Sequence, residues 1–573
     1  MEVHRELGPP RRSAARSVST SARRLFACAF LHVALLAAQV PPSTIDDRVR
    51  ALYNSGRWAE AASVAASAPV QSAALVFYRA LALARMNQLA QAATLFEEGA
   101  RLYPRDKRFP LESAGIAYRE KNFSAAKAYL HRALRLDPAD SYGNDFLATL
   151  FLLDENLPAA LKYWNRIGKP LIQDVQFAPP VPLDPVLRER AFVISAGQVF
   201  TLERLWTTQA NLHRLDVFAN TRFELLPSGG PRASLVIRAE PLATPLAGWA
   251  GAVLPMLREL PYQTLDFDRY NIRRRGLNLT SVARWDSNKR RLFLQLSGPL
   301  RMNPRIEYAY SADARDENWN LPAYGAGLKG LGLRKYEAGA DFSIGLSGKL
   351  QWTVGPHLAH RNFHNGDAGS FFSNGWSAEL RNRFDYRLLS WPDRRLHLDS
   401  WAILDAGRIF TAFPSRLIST RAGIKGEWFP QAKGDKYSVV ALFHAGRTFG
   451  NAPLDQLFML GMERDTPSDF WLRGHVATTG GRKGTGPLGR EFALSQLQLD
   501  RRFFQLPFIR FQAGPFLDSG WTADPSGQFG SHAWLVDTGV EAKITTIGGI
   551  AVRLVYGWNL PHGRGVFYSA VTR

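Results

Sequence analysis

The chain has 573 residues, 46% of them hydrophobic and 21% charged; at roughly 100 to 200 residues per domain it holds about three domains, each with its own core, and is not disordered. Lys+Arg 71 against Asp+Glu 50 leaves a net charge of +21, which fits nucleic acid, a membrane surface or an anionic envelope as surroundings. Cys28 is the only cysteine, which excludes an internal disulfide and a cysteine-ligated metal cluster.

Arg11, Arg12, Arg16, Arg23 and Arg24 precede the apolar run Leu25 to Ala38, and Gln39, Val40, Pro41 and Pro42 follow it. A basic region, then roughly 7 to 15 apolar residues ending in small ones, is the order of a secretory signal and is too short for a membrane span. Residues 1–38 are therefore expected to be a signal peptide, and the remainder to be exported. From 45 to 170, small alanines recur at Ala61, Ala92, Ala126 and Ala160, spaced 31, 34 and 34. Pro104 and Pro138 are also 34 apart, and the bulky Phe96, Leu130 and Trp164 follow the alanines by one turn. This period, with small residues where paired helices touch, predicts a tetratricopeptide array whose stacked units offer a concave surface to a peptide or protein.

Residues 171–240 predict a small α/β module. After the linker Phe177 to Pro182 come a helical stretch from Pro185 to Phe192, a turn at Gly197 and a second helix from Leu202 to Leu215. Strands Arg222 to Leu226 and Ala233 to Ala239 follow, joined by the turn residues Ser228-Gly229-Gly230-Pro231. The order strand, helix, helix, strand, strand resembles a POTRA domain, the periplasmic module of the outer-membrane assembly and two-partner-secretion superfamily. The matching residues are Gly197 with Phe200 before the second helix, and Leu215-Asp216-Val217-Phe218-Ala219-Asn220.

From 260 to 573 no apolar run reaches the ~18 residues of a membrane helix. Instead, apolar and polar residues alternate: Leu292, Leu294 and Leu296 with Phe293, Gln295 and Ser297; Ile306, Tyr308 and Tyr310 with Glu307, Ala309 and Ser311; Val540, Ala542 and Ile544 with Glu541, Lys543 and Thr545; Val552, Leu554, Tyr556 and Trp558 with Arg553 and Gly557. One apolar face and one charged face, with 12 of the 15 Trp beyond residue 240, predict a transmembrane antiparallel β-barrel with interfacial aromatic girdles. At roughly 20 residues per strand and turn, this region holds about 16 strands.

Several motifs in this region resemble the barrel of the same superfamily, the bacterial surface antigen type. Pro453-Leu454-Asp455-Gln456-Leu457-Phe458-Met459-Leu460-Gly461 followed by Leu472-Arg473-Gly474-His475 is similar to its approach to the lumen loop, Val/Ile-Arg-Gly-Phe/Tyr. Gly514-Pro515-Phe516-Leu517-Asp518-Ser519-Gly520-Trp521 resembles the strand carrying Phe-x-Asp-x-Gly, and Phe267 to Gly276, Thr538 to Glu541 and Val555 to Leu560 match in order. The resemblance covers residues 171–573. It implies a loop folded inside the barrel that presents Arg473 and Gly474 to Asp518 and Gly520 on the wall. Alternation from Ile509 sets Ile509 and Phe511 on one face and Arg510, Gln512 and Asp518 on the other, so Asp518 is expected to point inward. A guanidinium there can meet the carboxylate with two parallel hydrogen bonds, which Lys cannot reproduce. His475 stands in place of the family's aromatic and predicts a loop held less firmly. Gln498-Leu499-Asp500 replaces the usual Glu-Leu-Arg, and the chain ends without a terminal aromatic.

By resemblance, the chain would insert or translocate polypeptides at the bacterial outer membrane. Lipid would surround the barrel, the N-terminal domains would lie in the periplasm, and the repeats would hold a client polypeptide or periplasmic partner. A repeat-plus-barrel exporter of polysaccharide or surface lipoprotein, and a barrel-anchored scaffold, remain open. An exporter of anionic polymer predicts an open lumen with basic inward residues, an insertase a plugged lumen. No metal site is expected at His357, His360 and His364, because residues 357 and 360 face opposite ways on a strand. Gly480-Gly481-Arg482-Lys483-Gly484-Thr485-Gly486 lacks the order of a phosphate loop and reads as a mobile surface loop. The clusters Arg273-Arg274-Arg275 and Lys289-Arg290-Arg291 fit anionic headgroups or plain solvation rather than nucleic acid. No nucleophile has a plausible base, so neither catalytic residue nor cofactor is expected, and the chain does not read as an enzyme.

Overall fold

A computed structural model describes residues 44–227, 232–242, 263–321, 330–366, 369–461, 472–506, 509–527, 529–531, 533–546 and 551–572. The expected signal segment, Cys28 and the Ser228-Gly229-Gly230-Pro231 turn lie outside them. The chain divides into two compact units, the first ending at Leu136 and the second beginning at Asp137.

The described residues of the first unit form three helical hairpins: α1 (Ile45–Asn54) with α2 (Trp58–Ala66), α3 (Ala73–Arg85) with α4 (Leu89–Leu102), and α5 (Arg108–Arg119) with α6 (Phe123–Leu136). Each hairpin turns on one left-handed residue, Gly56, Asn87 and Lys121, five positions before Ala61, Ala92 and Ala126. Each turn closes with the same six-to-one backbone bond: Arg57 N to Leu52 O (3.0 Å), Gln88 N to Leu83 O (2.9 Å) and Asn122 N to Ala117 O (2.8 Å). The three alanines are fully buried, and Phe96, Phe109 and Leu130 fill the spaces between hairpins. Gly99 lies on α4 against the Phe109 ring, where an added Cβ would sit 2.1 Å from a ring carbon. Helix propensity alone favours Gly→Ala by about 1 kcal/mol. Phe109 is fully buried and stacked on Tyr103, so the ring cannot yield freely, and overpacking costs about 1–3 kcal/mol. Gly99→Ala is therefore expected to lower the thermal unfolding midpoint of the helical signal, against the propensity trend.

The second unit opens with a fourth hairpin, α7 (Ser141–Leu153) and α8 (Leu157–Trp164), turning on Glu155 (φ 61°) with Asn156 N to Phe151 O at 2.9 Å. An α/β module follows: β1 (Leu171–Phe177), α9 (Pro185–Ala191), α10 (Leu202–Leu215), β2 (Phe218–Pro227) and β3 (Arg232–Pro241). The sheet order is β1-β3-β2, with β1 parallel and β2 antiparallel to β3. Thr201 caps α10, its hydroxyl accepting from Arg204 N at 3.2 Å. Leu157 and Leu161 of α8 join Ile172, Leu187, Phe200, Leu205, Leu212 and Leu235 in one hydrophobic core. The packing is thus continuous across residue 171, where the sequence reading sets a boundary.

Among the described residues, sixteen of the remaining strands form one antiparallel sheet. They are β4 (Thr264–Asp266), β5 (Arg269–Ile272), β6 (Leu277–Trp285), β7 (Lys289–Pro299), β8 (Ile306–Asn318), β9 (Gly332–Gly345), β10 (Leu350–His364), β11 (Gly375–Trp391), β12 (Leu396–Thr411), β13 (Ser415–Trp428) and β14 (Tyr437–Phe449). Four short strands then stand outside the large sheet, β15 (Phe458–Met459), β16 (Thr478–Thr479), β17 (Arg482–Lys483) and β18 (Leu488–Gly489). The large sheet resumes with β19 (Glu491–Leu506), β20 (Ile509–Ala523), β21 (Leu535–Thr546), β22 (Ala551–Asn559) and β23 (Arg564–Thr572). β4 and β5 share one edge, both pairing with β6, and β23 is the other end of the path.

Alternation sorts the two faces as expected. Leu292, Leu294, Tyr310, Leu380, Phe384, Phe443, Leu497, Val540 and Tyr556 are exposed, while Asp313, Glu379, Asp518 and Glu541 on the other face are buried. The α/β module sits at one end of the strands: Asp184 N bonds Arg274 O, Arg190 bonds Arg301 O, and Arg214 bonds Pro304 O. Exposed tryptophans mark both ends, Trp391 and Trp428 near the module and Trp285, Trp376, Trp534 and Trp558 at the far end. Among the described residues no helix is long and apolar enough to cross a membrane.

Candidate functional site

The segment from β14 to β19, described over 450–461 and 472–490, lies against the charged face of the sheet. Its turn Leu472-Arg473-Gly474-His475 meets β19 to β22. Arg473 is 4% exposed and Asp518, on β20, has no exposure at all. Arg473 Nε donates to Asp518 Oδ2 at 2.8 Å and Nη2 to Oδ1 at 2.5 Å, the two-pronged geometry only a guanidinium provides. The Arg473 backbone N–H adds a third bond to Asp518 Oδ2 at 3.1 Å. The remaining prong, Nη1, donates to Glu541 Oε2 at 3.0 Å and to Gln498 Oε1. Beneath the guanidinium lies the Phe516 ring, 3.8 Å from Cζ to centroid, adding a cation–π contact.

Gly474 N donates to Asp537 Oδ2 at 2.7 Å, and an added Cβ on Gly474 would fall 2.6 Å from Asp537 Cγ. Gly520 faces Leu460 and Leu472, where a Cβ would be 3.0–3.3 Å from their methyl groups. All four expected residues, Arg473, Gly474, Asp518 and Gly520, thus meet in one place. Asp518 stands directly across the β20–β21 pair from Asp537. Like charges facing each other repel; the loop sets the Arg473 cation against Asp518 and hydrogen-bond donors against Asp537.

His475 corrects one expectation. Rather than loosening the loop, its Nδ1 lies 2.9 Å from Asp537 Oδ2 and its Nε2 2.9 Å from Asn559 Nδ2. A neutral ring protonated on Nδ1 satisfies both contacts, donating to the carboxylate and accepting from the amide. The glycine segment 480–486 is also not a surface loop: Lys483 is buried and its Nζ donates to both Glu317 oxygens at 3.1 Å. Of the cluster Lys289-Arg290-Arg291, Lys289 bonds Thr478 and Arg291 bonds Asp313 on the charged face, so headgroup binding does not describe those two.

Several members of the site were not singled out from sequence. Glu541 also receives Arg553 Nε (2.7 Å) and Nη2 (2.8 Å), while Gln498 Nε2 donates to Asp500 Oδ1 at 2.7 Å. Inward parity on β21 would have found Asp537 and Glu541 together. Gly557 on β22 matters by space alone, since its Cβ would fall 2.0 Å from Arg473 O. Backbone cannot swing aside as a side-chain tip can, so Gly557→Ala is expected to push the turn off the wall at a cost of about 1–3 kcal/mol. Faster protease cleavage within 472–490 of the folded, detergent-extracted protein is the check.

No protein-family model matches the chain, and no curated protein is similar to it in sequence. Among solved structures it is similar to BamA from Haemophilus ducreyi lacking POTRA domains 1–3, at 11% identity over 70% of this chain and 84% of that one, with a TM-score of 0.40. It is also similar to CdiB from Escherichia coli, at 13% identity over 70% of this chain and 75% of that one (TM-score 0.43). CdiB from Acinetobacter baumannii gives 12% identity over 70% and 73% (TM-score 0.40).

Proposed function

We propose that the sixteen-stranded sheet closes into an outer-membrane β-barrel that inserts or translocates polypeptides, with the Arg473 loop as a latched plug in its lumen. The four helical hairpins are read as tetratricopeptide repeats and the α/β module as a POTRA-like domain, both in the periplasm, where the repeats hold a client or partner polypeptide. The observation that carries this reading is the Arg473–Asp518 fork. It ties an inward loop to a sheet whose opposite face is apolar and exposed. Exposed apolar surface over all these strands is far more than the few hundred Å² a soluble protein carries, whereas lipid requires it. Closure follows from the same physics, since an open sheet edge in lipid leaves backbone groups unpaired.

The inner face bears acids and bases in mixed pairs and is occupied by the loop, which favours a plugged transporter over an open conduit for an anionic polymer. In cells the protein is expected in the outer-membrane fraction, with gel mobility that changes on boiling, because a fully paired barrel resists detergent. Loss of the gene should deplete a surface or outer-membrane polypeptide, restored by the intact chain and not by Arg473→Ala. A soluble protein without a heat shift overturns the barrel; normal surface proteins without it overturn the transport role.

A further inference from the structure

We propose that Arg408 and Arg416, at the end of the sheet remote from the α/β module, form a clamp for the phosphate of an anionic lipid in the outer leaflet. This rests on the barrel reading above, which turns their face of the sheet toward lipid. The two residues stand directly opposite each other on β12 and β13, and both are exposed. Parity places them outward, in line with the exposed Leu404 and Phe410 on β12 and Ile418 on β13. The short turn after Thr411 that joins the two strands carries no acid. Opposed residues of one face have Cβ atoms about 4.5–5.5 Å apart, and like charges there destabilise the strand pair. The chain does nothing to relieve that repulsion. The acids of β11–β14, Glu379, Asp385, Asp399, Asp405 and Glu427, all line the inward side. Among the described residues neither Arg408 nor Arg416 has an ion pair.

Two other outward arginines at this end each have an acid. Arg334 Nη2 lies 3.0 Å from Asp316 Oδ2, and Arg447 Nε lies 3.1 Å from Glu491 Oε1. At 408 and 416 the counter-charge has to come from outside the chain. Phosphate fits, because each planar guanidinium can donate two parallel hydrogen bonds to it and its oxygens suffice for both. The surroundings say what carries the phosphate. Phe410, Phe413, Ile418 and Phe449 are exposed and apolar around the pair, and Phe410 stands opposite Trp376 of the far-end girdle. The Arg408 guanidinium leans toward the Phe410 ring, 5.5 Å from Cζ to centroid. Aromatic girdles mark the level of the headgroups, where basic side chains meet lipid phosphates. A headgroup bearing its own ammonium would set a third cation against the pair, so the lipid is one whose phosphate has no attached cation, such as lipid A.

The test uses the full chain, purified and delipidated in a neutral detergent, and reads the temperature of the gel-mobility transition with lipid A, phosphatidylcholine or inorganic phosphate added at equal phosphate. Lipid A should raise the transition of the parent, and the other two should not. In the double variant Arg408→Ala/Arg416→Ala that shift should vanish, and the lipid A retained in native mass spectrometry should fall about tenfold or more. Arg334→Ala, which removes an outward arginine that already has its acid, should keep the full shift. Arg408→Glu should be more stable than the parent in detergent alone, because it pairs with Arg416, and should ignore lipid A; a merely damaged barrel would be less stable. The clamp is wrong if the double variant responds to lipid A as the parent does, if phosphatidylcholine serves equally, or if inorganic phosphate gives the whole shift, which would make the pair a free-anion site. A parent without any mobility transition would fail the barrel, whereas an intact transition indifferent to lipid A would fail only the clamp.

Discussion

Arg473→Ala is expected to be the most damaging single substitution on the charged face, more so than Asp518→Ala. Four carboxylates converge there, Asp500, Asp518, Asp537 and Glu541, and three permanent cations pair with members of this group, Arg473, Lys543 and Arg553. Removing Arg473 leaves four against two, and Asp518 loses all three of its bonds from that residue. Stranding a buried charge in this way costs about 3–5 kcal/mol, well above the 0 to ~1 kcal/mol of an exposed pair. Asp518→Ala leaves Arg473 its bond to Glu541, so the loss should be smaller. The double variant restores the original balance and should be no worse than Arg473→Ala alone, the signature of residues acting as one unit. Arg473→Lys should fall in between, because an ammonium can meet one carboxylate but cannot span Asp518 and Glu541 or stack flat on Phe516. Single-channel current in planar bilayers reads this directly: larger and noisier openings in the order Arg473→Ala, Arg473→Lys, parent. Identical currents in all three would remove the latch while leaving the barrel in place.

The repeats and strands were legible in the sequence because both are written in local periods. Ala61, Ala92, Ala126 and Ala160 mark one position in each hairpin, and the alternation from Leu292 to Leu296 or around Val540 marks the face of each strand. Arg473 and Asp518 could be paired only through resemblance, since 45 residues separate them. The partners that resemblance did not supply are farther apart still: Arg473 to Glu541 spans 68 residues, Arg361 to Asp455 94, and Glu317 to Lys483 166. Parity says that such a residue points inward, but strand register and the path of a long loop decide which opposite charge it meets, and neither is local. The same limit misled the reading of Gly480 to Gly486. Glycines and basic residues suggest an exposed loop when viewed alone, and only the tertiary position of Glu317 turns Lys483 into a buried anchor. His475 shows the reverse. Its departure from the aromatic suggested a defect, whereas Asp537 and Asn559 make it a fitted hydrogen-bonding residue.

Truncation is expected to separate two regions that sequence periodicity joins. A chain lacking residues 45–136 should still reach the outer membrane and show the heat shift, because helical repeats stabilise mainly their own neighbours and the second compact unit begins at Asp137. Extending the deletion to residue 164 should abolish stable assembly, although it removes only one more hairpin of the same period. That hairpin does different work. Leu157 and Leu161 are buried in the α/β core, and each contributes roughly 1.5–3 kcal/mol by burial. Asn156 Nδ2 donates to Pro392 O at 2.8 Å, while Lys162 Nζ and Tyr163 OH reach Asp393 at 2.7 and 2.8 Å, gripping the β11–β12 turn. Burial, and then the neighbouring Asp393, push the Tyr163 phenol well above its ordinary range, which keeps it protonated as the donor to that carboxylate. Against a total stability of about 5–15 kcal/mol for a domain, losing two core leucines and this grip is decisive. Leu161→Ala in the full chain gives the graded version, about 2–5 kcal/mol, read as a lower temperature for the gel-mobility transition. If the shorter deletion already prevents assembly, the first unit is needed for folding and not only for binding; if the longer one assembles normally, α8 is a passenger on the α/β core.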